Sequence, residues 1–140
     1  MKRLLALPLF LATIAAATPA PQVEVADGDW SGLPLLDSRG YDHLGSKVMG
    51  RLWEIAQQRK CSLPGYSGDK LDLRLSFAAQ YNPDGSIVRI VLPRLNCPEA
   101  EGIIAGAVIE MMRAGDYRPT GQNLDGWYRG NFAFGYEAGA

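Results

Sequence analysis

The chain has 140 residues, a formal net charge of −1, 47% hydrophobic residues and 21% charged residues. This composition is typical of one globular domain and excludes a disordered or membrane-embedded chain. The mild charge, with no run of basic residues, excludes nucleic acid and a membrane surface as expected partners.

Residues 1–17 have the pattern of a cleaved export signal. Lys2 and Arg3 form a basic start, and the uncharged apolar run that begins at Leu4 ends in three alanines, as a signal peptidase requires. The alternative is a retained membrane anchor. However, about 14 apolar residues interrupted by Pro8 are fewer than the roughly 20 that a helix needs to cross a bilayer. We therefore expect a signal peptide and a periplasmic mature chain.

Residues 18–40 are predicted to form an extended arm, because prolines and glycines punctuate them and no hydrophobic period is sustained. The second half of the arm is too apolar for a free linker, so we expect it to lie on the domain surface as a strap. The residues that make it apolar are Trp30, Leu33, Leu35 and Leu36. Trp30 is either packed there or serves as an anchor for a partner.

Residues 41–136 are predicted to be one domain, followed by a loose tail at 137–140. Apolar residues at helical spacing predict a first helix over 42–59, with Asp42 able to cap its start. His43 is the only histidine, so the sequence offers no second histidine for a metal site or a catalytic triad.

The centre of the predicted domain is a hairpin followed by a helix. Strict alternation over 71–82 predicts a strand with one buried face, the Pro-Asp-Gly turn at 83–85 predicts a hairpin, and 86–92 is the second strand. A second helix is expected over 98–113, with its first-position proline. The third strand, 127–136, completes an α+β fold: a small three-stranded antiparallel sheet with two helices on one side.

Cys61 and Cys97 are the only cysteines, and an exported chain can join them in a disulfide. Closing a loop of that size would stabilise the fold by roughly 4 kcal/mol on the chain-entropy model. The alternative is two unpaired buried thiols.

No nucleophile elbow, metal-spaced histidine cluster or glycine-rich phosphate loop is present, so we expect no enzyme activity and no cofactor. Carboxylate pairs such as Asp69 with Asp72, or Glu99 with Glu101, have simpler surface roles. An enzyme using the Asp72 or Glu99 region remains an alternative that needs a buried carboxylate in a pocket. A small sheet does offer an edge to which an extended peptide can add as another strand.

Residues 42–136 resemble the C-terminal domain shared by TonB and TolA, envelope proteins of Gram-negative bacteria. Several features carry the resemblance: the leading helix 42–59, the strand ending in Tyr-Asn-Pro-Asp-Gly-Ser at 81–86, the second helix with spaced small residues, the aromatic-x-Pro at 117–119 and the final strand 127–136. In that family the domain binds extended segments of outer-membrane receptors or other envelope proteins, often by strand addition at the last strand.

The resemblance implies an exported, peptide-binding domain in the cell envelope, with a homodimer through the sheet edge as a further possibility. The implied partner-binding residues are Tyr128, Arg129, Asn131, Phe132 and Phe134. The chain departs from TonB and TolA in its cleavable signal and short arm, so energy transduction is not expected. Two alternatives stay open: a membrane-anchored TonB-like transducer if the first segment is retained, and a small structural or inhibitory envelope protein that binds through its arm.

Overall fold

The computed structural model describes residues 20–39, 45–120 and 126–137. Within these ranges it has two helices, a four-stranded sheet and a small two-stranded sheet. The elements in chain order are β1 Gln22–Ala26, β2 Asp37–Ser38, α1 Gly45–Gln57, β3 Lys70–Tyr81, β4 Ile87–Pro93, α2 Pro98–Arg113, β5 Tyr117–Arg118 and β6 Gly126–Glu137. The predicted signal segment, the Asp42 cap, His43 and residues 138–140 of the predicted tail lie outside the described residues.

The α+β class with two helices is confirmed, but the three-stranded antiparallel sheet is wrong. The sheet is mixed, with strand order β1-β4-β3-β6, and its added strand β1 runs parallel to β4 from Gln22 opposite Arg89 to Ala26 opposite Pro93. This strand comes from the predicted arm. Its sequence Gln-Val-Glu-Val-Ala does alternate polar and apolar residues, but its partner lies far along the chain, so no local pattern indicates the pairing.

The long strand β3 pairs with β6 over its whole length and with β4 only near its end. Its alternation is the predicted one, since Leu71, Leu73 and Phe77 are fully buried and the residues between them are exposed or half-buried. The hairpin turn is closed by Asp84, whose carboxylate accepts hydrogen bonds from the Ser86 amide at 2.8 Å and the Ser86 hydroxyl at 2.6 Å. The Ser86 hydroxyl and amide hold the pKa of Asp84 below its usual range.

Both helices contribute to a single hydrophobic core with one face of the sheet. Met49, Leu52 and Ile104 from the helices are buried together with the sheet residues Ile90 and Phe132. We call the opposite side of the sheet its outer face.

The Cys61–Cys97 disulfide is present, with the two Cα atoms 5.7 Å apart, which confirms the predicted pairing. It joins the loop after α1 to the residue before α2, so it fixes the two helices relative to each other.

The arm crosses the sheet from edge to edge. It begins as β1 beside β4, and Leu35 then forms a parallel bridge with Arg129 at the β6 edge. Arg129 alternates with the buried residues Tyr128 and Gly130, so it projects from the outer face. The Ser31 amide and hydroxyl, with a smaller contribution from the Arg129 guanidinium, hold the pKa of Asp29 below its usual range. The crossing segment therefore joins the β1 edge of the sheet to the β6 edge.

Candidate functional site

The outer edge of β6 can be divided by the direction of its backbone groups. Arg129 donates its N–H to the carbonyl of Pro34 and accepts a hydrogen bond from the N–H of Leu36, both at 2.8 Å, so its groups point away from β3. Alternate residues of a strand point the same way. Hence the N–H and C=O groups of Asn131, Ala133, Gly135 and Glu137 also turn outward, and those of the even-numbered residues face β3.

The first part of this edge, Gly126–Asn131, is the covered half. Leu35 and its neighbours occupy both backbone groups of Arg129. The Tyr117 hydroxyl donates to the carbonyl of Asn131 at 2.7 Å, and the Thr120 hydroxyl donates to the carbonyl of Leu35 at 3.2 Å. The chain thus blocks this half with its own arm and with β5.

The second part, Phe132–Glu137, is the open half. Among the described residues, nothing pairs with the outward N–H and C=O groups of Ala133 and Gly135. Both residues are exposed, and a Cβ built on Gly135 would meet no atom within 4 Å. A further strand therefore has hydrogen-bonding groups and free space here.

Beside the open half, the outer face forms two shallow depressions of mixed charge. Their linings are, for the first, Arg74, Leu75, Ser76, Asn131, Phe132 and Ala133 and, for the second, Lys70, Leu71, Asp72, Gly135, Tyr136 and Glu137. The exposed Arg74 lies 3.2 Å from the Asp72 carboxylate, and Ser76 donates to the side-chain carbonyl of Asn131 at 3.0 Å. Side chains of an added strand that project to this face would meet polar groups of both signs.

The partner-binding residues expected from the sequence all lie on β6, but they do not form one surface. The side chains of Tyr128, Phe132 and Phe134 are buried. Tyr128 packs edge-on against Tyr81, with ring centroids 5.6 Å apart. Of the five residues, only Asn131 is exposed. Arg129 is half-buried, and its backbone is already paired with the arm.

Ala133 lies inside the edge 128–134 predicted from the resemblance but is not among its expected binding residues, and Gly135 lies outside that edge. The signal that identifies them is their position: they are small residues at the alternate sites between Phe132, Phe134 and Tyr136. When large aromatics occupy the buried face of a last strand, the small residues between them mark the side where another chain can approach.

The carboxylates considered for chemistry lie in exposed ion pairs. Asp72 pairs with Arg74, and Glu99 lies 3.7 Å from the Lys60 ammonium. Within the described ranges, no group of three or more histidine, cysteine, aspartate or glutamate side chains is placed to hold a metal ion. In the same ranges, no helix is long and apolar enough to span a membrane.

The sequence matches no protein-family model, no curated protein and no solved structure. The geometry of the sheet edge therefore carries the functional argument.

Proposed function

We propose that the chain is an exported domain, resembling in its sequence pattern the C-terminal domain of TonB and TolA, that binds an extended segment of an envelope protein in the periplasm. The segment adds as a strand to the open half of β6. The observation that carries this proposal is the row of outward backbone groups on Ala133 and Gly135, which have no backbone partner among the described residues.

The expected affinity of this interaction follows from the number of free backbone hydrogen-bonding groups. Ala133 and Gly135 offer two N–H and two C=O groups, and each hydrogen bond contributes a net free energy of about 1 kcal/mol. Four such bonds correspond to a dissociation constant of about 1 mM before the entropic costs of association. The partner's side chains must therefore add affinity, and the polar depressions near Arg74 and Lys70 are where they would do so.

Two features support export to an oxidising compartment. The Cys61–Cys97 disulfide is of the kind that persists outside the cytosol. The pattern of residues 1–17 is that of a secretory signal. Both agree with a partner in the cell envelope.

The test is to capture partners from a Gram-negative envelope extract with three forms of the protein: wild type, Ala133→Pro and Ala133→Ser. Proline removes the outward N–H of residue 133 and leaves the β3 ladder intact, because that N–H does not face β3. Serine keeps the N–H and is the matched control. We expect Ala133→Pro to lose the partner and Ala133→Ser to retain it, with circular dichroism showing that both are folded.

The captured segment is then made as a synthetic peptide and added to the labelled wild-type protein. Strand addition predicts that the amides of Ala133 and Gly135 become protected from hydrogen exchange. Binding that leaves both amides unprotected, or equal capture by folded Ala133→Pro, would contradict the proposal.

A second candidate, binding through the arm, is favoured by one observation: Leu35 is 47% exposed although it is a large apolar residue. Leu35→Ser separates the two candidates, because it changes the arm's exposed surface without altering the groups of Ala133 and Gly135. Loss of capture by Leu35→Ser, with capture retained by Ala133→Pro, would favour the arm.

A further inference from the structure

The arm already contains a strand-like ligand of the β6 edge. The segment from Pro34 to Leu36 runs parallel to β6 and occupies both outward backbone groups of Arg129. These are the same kind of groups, in the same row, as those of Ala133 and Gly135. The segment Pro34–Leu36 thus already pairs with the covered half, and it shows which kind of segment this edge can bind.

The two leucines of this segment have different environments. Leu36 is 3% exposed and belongs to the hydrophobic core, whereas Leu35 is 47% exposed. The segment is therefore held by one aliphatic side chain and by a pair of backbone hydrogen bonds on either side of Leu35. This is a minimal recognition pattern for an extended, apolar peptide.

The contacts that keep the segment in place are few. Beyond Leu36, β2 pairs with β5 over two residues only, and Arg39 donates its N–H to the carbonyl of Asp116 at 2.9 Å. The crossing segment that precedes it includes a short turn in which Leu33 donates to the carbonyl of Trp30 at 3.0 Å. By contrast, β6 is joined to β3 by a ladder of twelve residue pairs. The arm can leave the edge without disturbing that ladder.

We propose that the segment Pro34–Leu36 is a built-in competitor of the partner strand. The partner is then an extended peptide that runs parallel to β6 and carries an aliphatic side chain at the place of Leu36. This inference rests on the proposed function, since it names the ligand class and the regulation of the same edge. When the arm leaves, the N–H and C=O groups of Arg129 are added to those of Ala133 and Gly135.

Competition follows because one edge residue can pair with only one strand at a time. A partner that uses the whole edge binds only the fraction of molecules in which the arm has left. The apparent dissociation constant is the intrinsic one divided by that fraction. Weakening the arm therefore raises the apparent affinity without any new contact.

The probe is a fluorescent synthetic peptide with the sequence of residues 30–38, Trp-Ser-Gly-Leu-Pro-Leu-Leu-Asp-Ser. Its binding to the full-length exported protein is measured by fluorescence anisotropy for wild type, Leu36→Ala and the matched control Leu35→Ala. We expect Leu36→Ala to bind about tenfold more tightly than wild type, because the buried anchor of the arm is removed. Leu35→Ala, changed at the exposed position, should stay within about twofold of wild type.

Hydrogen exchange shows whether the peptide binds at the edge. The amide of Arg129 should lose protection in Leu36→Ala and regain it when the peptide is added. The amide of Phe132 faces β3 and should stay protected throughout. Equal peptide affinity in wild type and Leu36→Ala, or an unchanged Arg129 amide, would overturn the inference.

If Leu36→Ala does not fold, Thr120→Val makes the same test, because it removes only the hydrogen bond to the carbonyl of Leu35. The expected gain in peptide affinity is then smaller, about two- to fivefold, and no gain would overturn the inference.

The outcomes also separate this inference from the proposed function. Peptide binding at Arg129, with no envelope partner whose segment protects Ala133 and Gly135, would leave the competitor standing and overturn the function. A partner strand that protects Ala133 and Gly135, and whose affinity Leu36→Ala does not change, would overturn the competitor alone.

Discussion

Both halves of β6 have β3 along one edge, and they differ in what lies along the other edge. Both pair with β3 in a continuous antiparallel ladder. On the outer side, the covered half meets the arm and the Tyr117 hydroxyl, whereas in the open half nothing among the described residues pairs with Ala133 or Gly135. Exposed edges are commonly protected by charge, proline or a covering segment. Among the described residues, a segment of the chain covers one half only, and the proposed function assigns the other half to a partner strand.

Two glycines of β6 show how the two faces of the strand differ. A Cβ at Gly130, in the covered half, would overlap the ring of Phe77, which is fully buried and packs edge-on against Tyr117. Gly135, in the open half, has free space around it. The face of β6 toward the helices is therefore tightly packed at Gly130, and the outer face tolerates an added group at Gly135.

The largest expected effect tests whether the two halves of β6 unfold together. Replacing both cysteines by serine should lower the free energy of unfolding by roughly 4 kcal/mol, because the Cys61–Cys97 bond no longer restricts the unfolded chain. Urea denaturation measures this loss, and reduction of the wild type is the control. Since the disulfide clamps the helices over the whole sheet, the inward amides of Tyr128 and Phe134 should lose protection together. Loss at only one of them would show that the halves unfold separately.

The next effect separates the two faces of β6. Gly130→Ala should lower the free energy of unfolding by about 1–3 kcal/mol, because the new methyl group displaces the Phe77 ring in a filled core. Gly135→Ala on the same strand is the matched control and should change stability by less than about 0.5 kcal/mol. Both are measured by thermal or urea unfolding. Equal losses in the two variants would contradict the contrast in packing.

The smallest effect concerns Tyr128, in the covered half of β6, and Tyr81 of β3, whose ring packs against it. The Tyr81 hydroxyl is buried and has no hydrogen-bond partner among the described residues, while the Tyr128 hydroxyl donates to the carbonyl of Thr120 at 3.2 Å. Tyr81→Phe should therefore raise the free energy of unfolding by about 1 kcal/mol, and Tyr128→Phe should lower it by a similar amount. Stabilisation by both variants, or by neither, would show that the two hydroxyls have similar environments.

The same two tyrosines lead us to expect that the free energy of unfolding depends on pH. Burial, with a smaller contribution from Tyr128, raises the pKa of Tyr81 above its usual value of 10.0. The unfolded chain then releases this proton first, so the stability that Tyr81 contributes is fully present below pH 10.0 and is lost as the pH rises above it. Tyr81→Phe should lose less stability between neutral and strongly alkaline pH than wild type, as measured by urea denaturation. Parallel losses in the two proteins would contradict the assignment.

The parts of the fold that could be predicted from the sequence are those whose signal is local. The alternation from Leu71 to Tyr81 gives β3, the turn residues around Asp84 give the hairpin, and Pro98 with helical spacing gives α2. The disulfide followed from there being only two cysteines. In each case a few neighbouring residues are enough to favour one structure.

The parts that could not be predicted depend on pairing between distant segments. The alternation of β1 covers only five residues, and its parallel neighbour β4 lies beyond α1 and β3 in the sequence. For the candidate site, the sequence predicted the same strand on which the present proposal rests but favoured its aromatic residues. Tyr128, Phe132 and Phe134 belong to the core, and the exposed backbone belongs to Ala133 and Gly135. The covering of Arg129 by Leu35 could not be seen, because no local pattern shows which part of an edge the chain itself will occupy.

The arm also sets an order for folding. It is among the first parts of the described chain to be synthesised, yet its neighbours, Arg89 for Gln22 and Arg129 for Leu35, come much later. Contacts between such distant residues cost the most chain entropy to form. The segment that leaves the ribosome early must therefore wait for β4 and β6 before it can dock. During that interval the whole outer edge of β6 is available to another strand, so the newly made chain is the form most exposed to mispairing with its own copies.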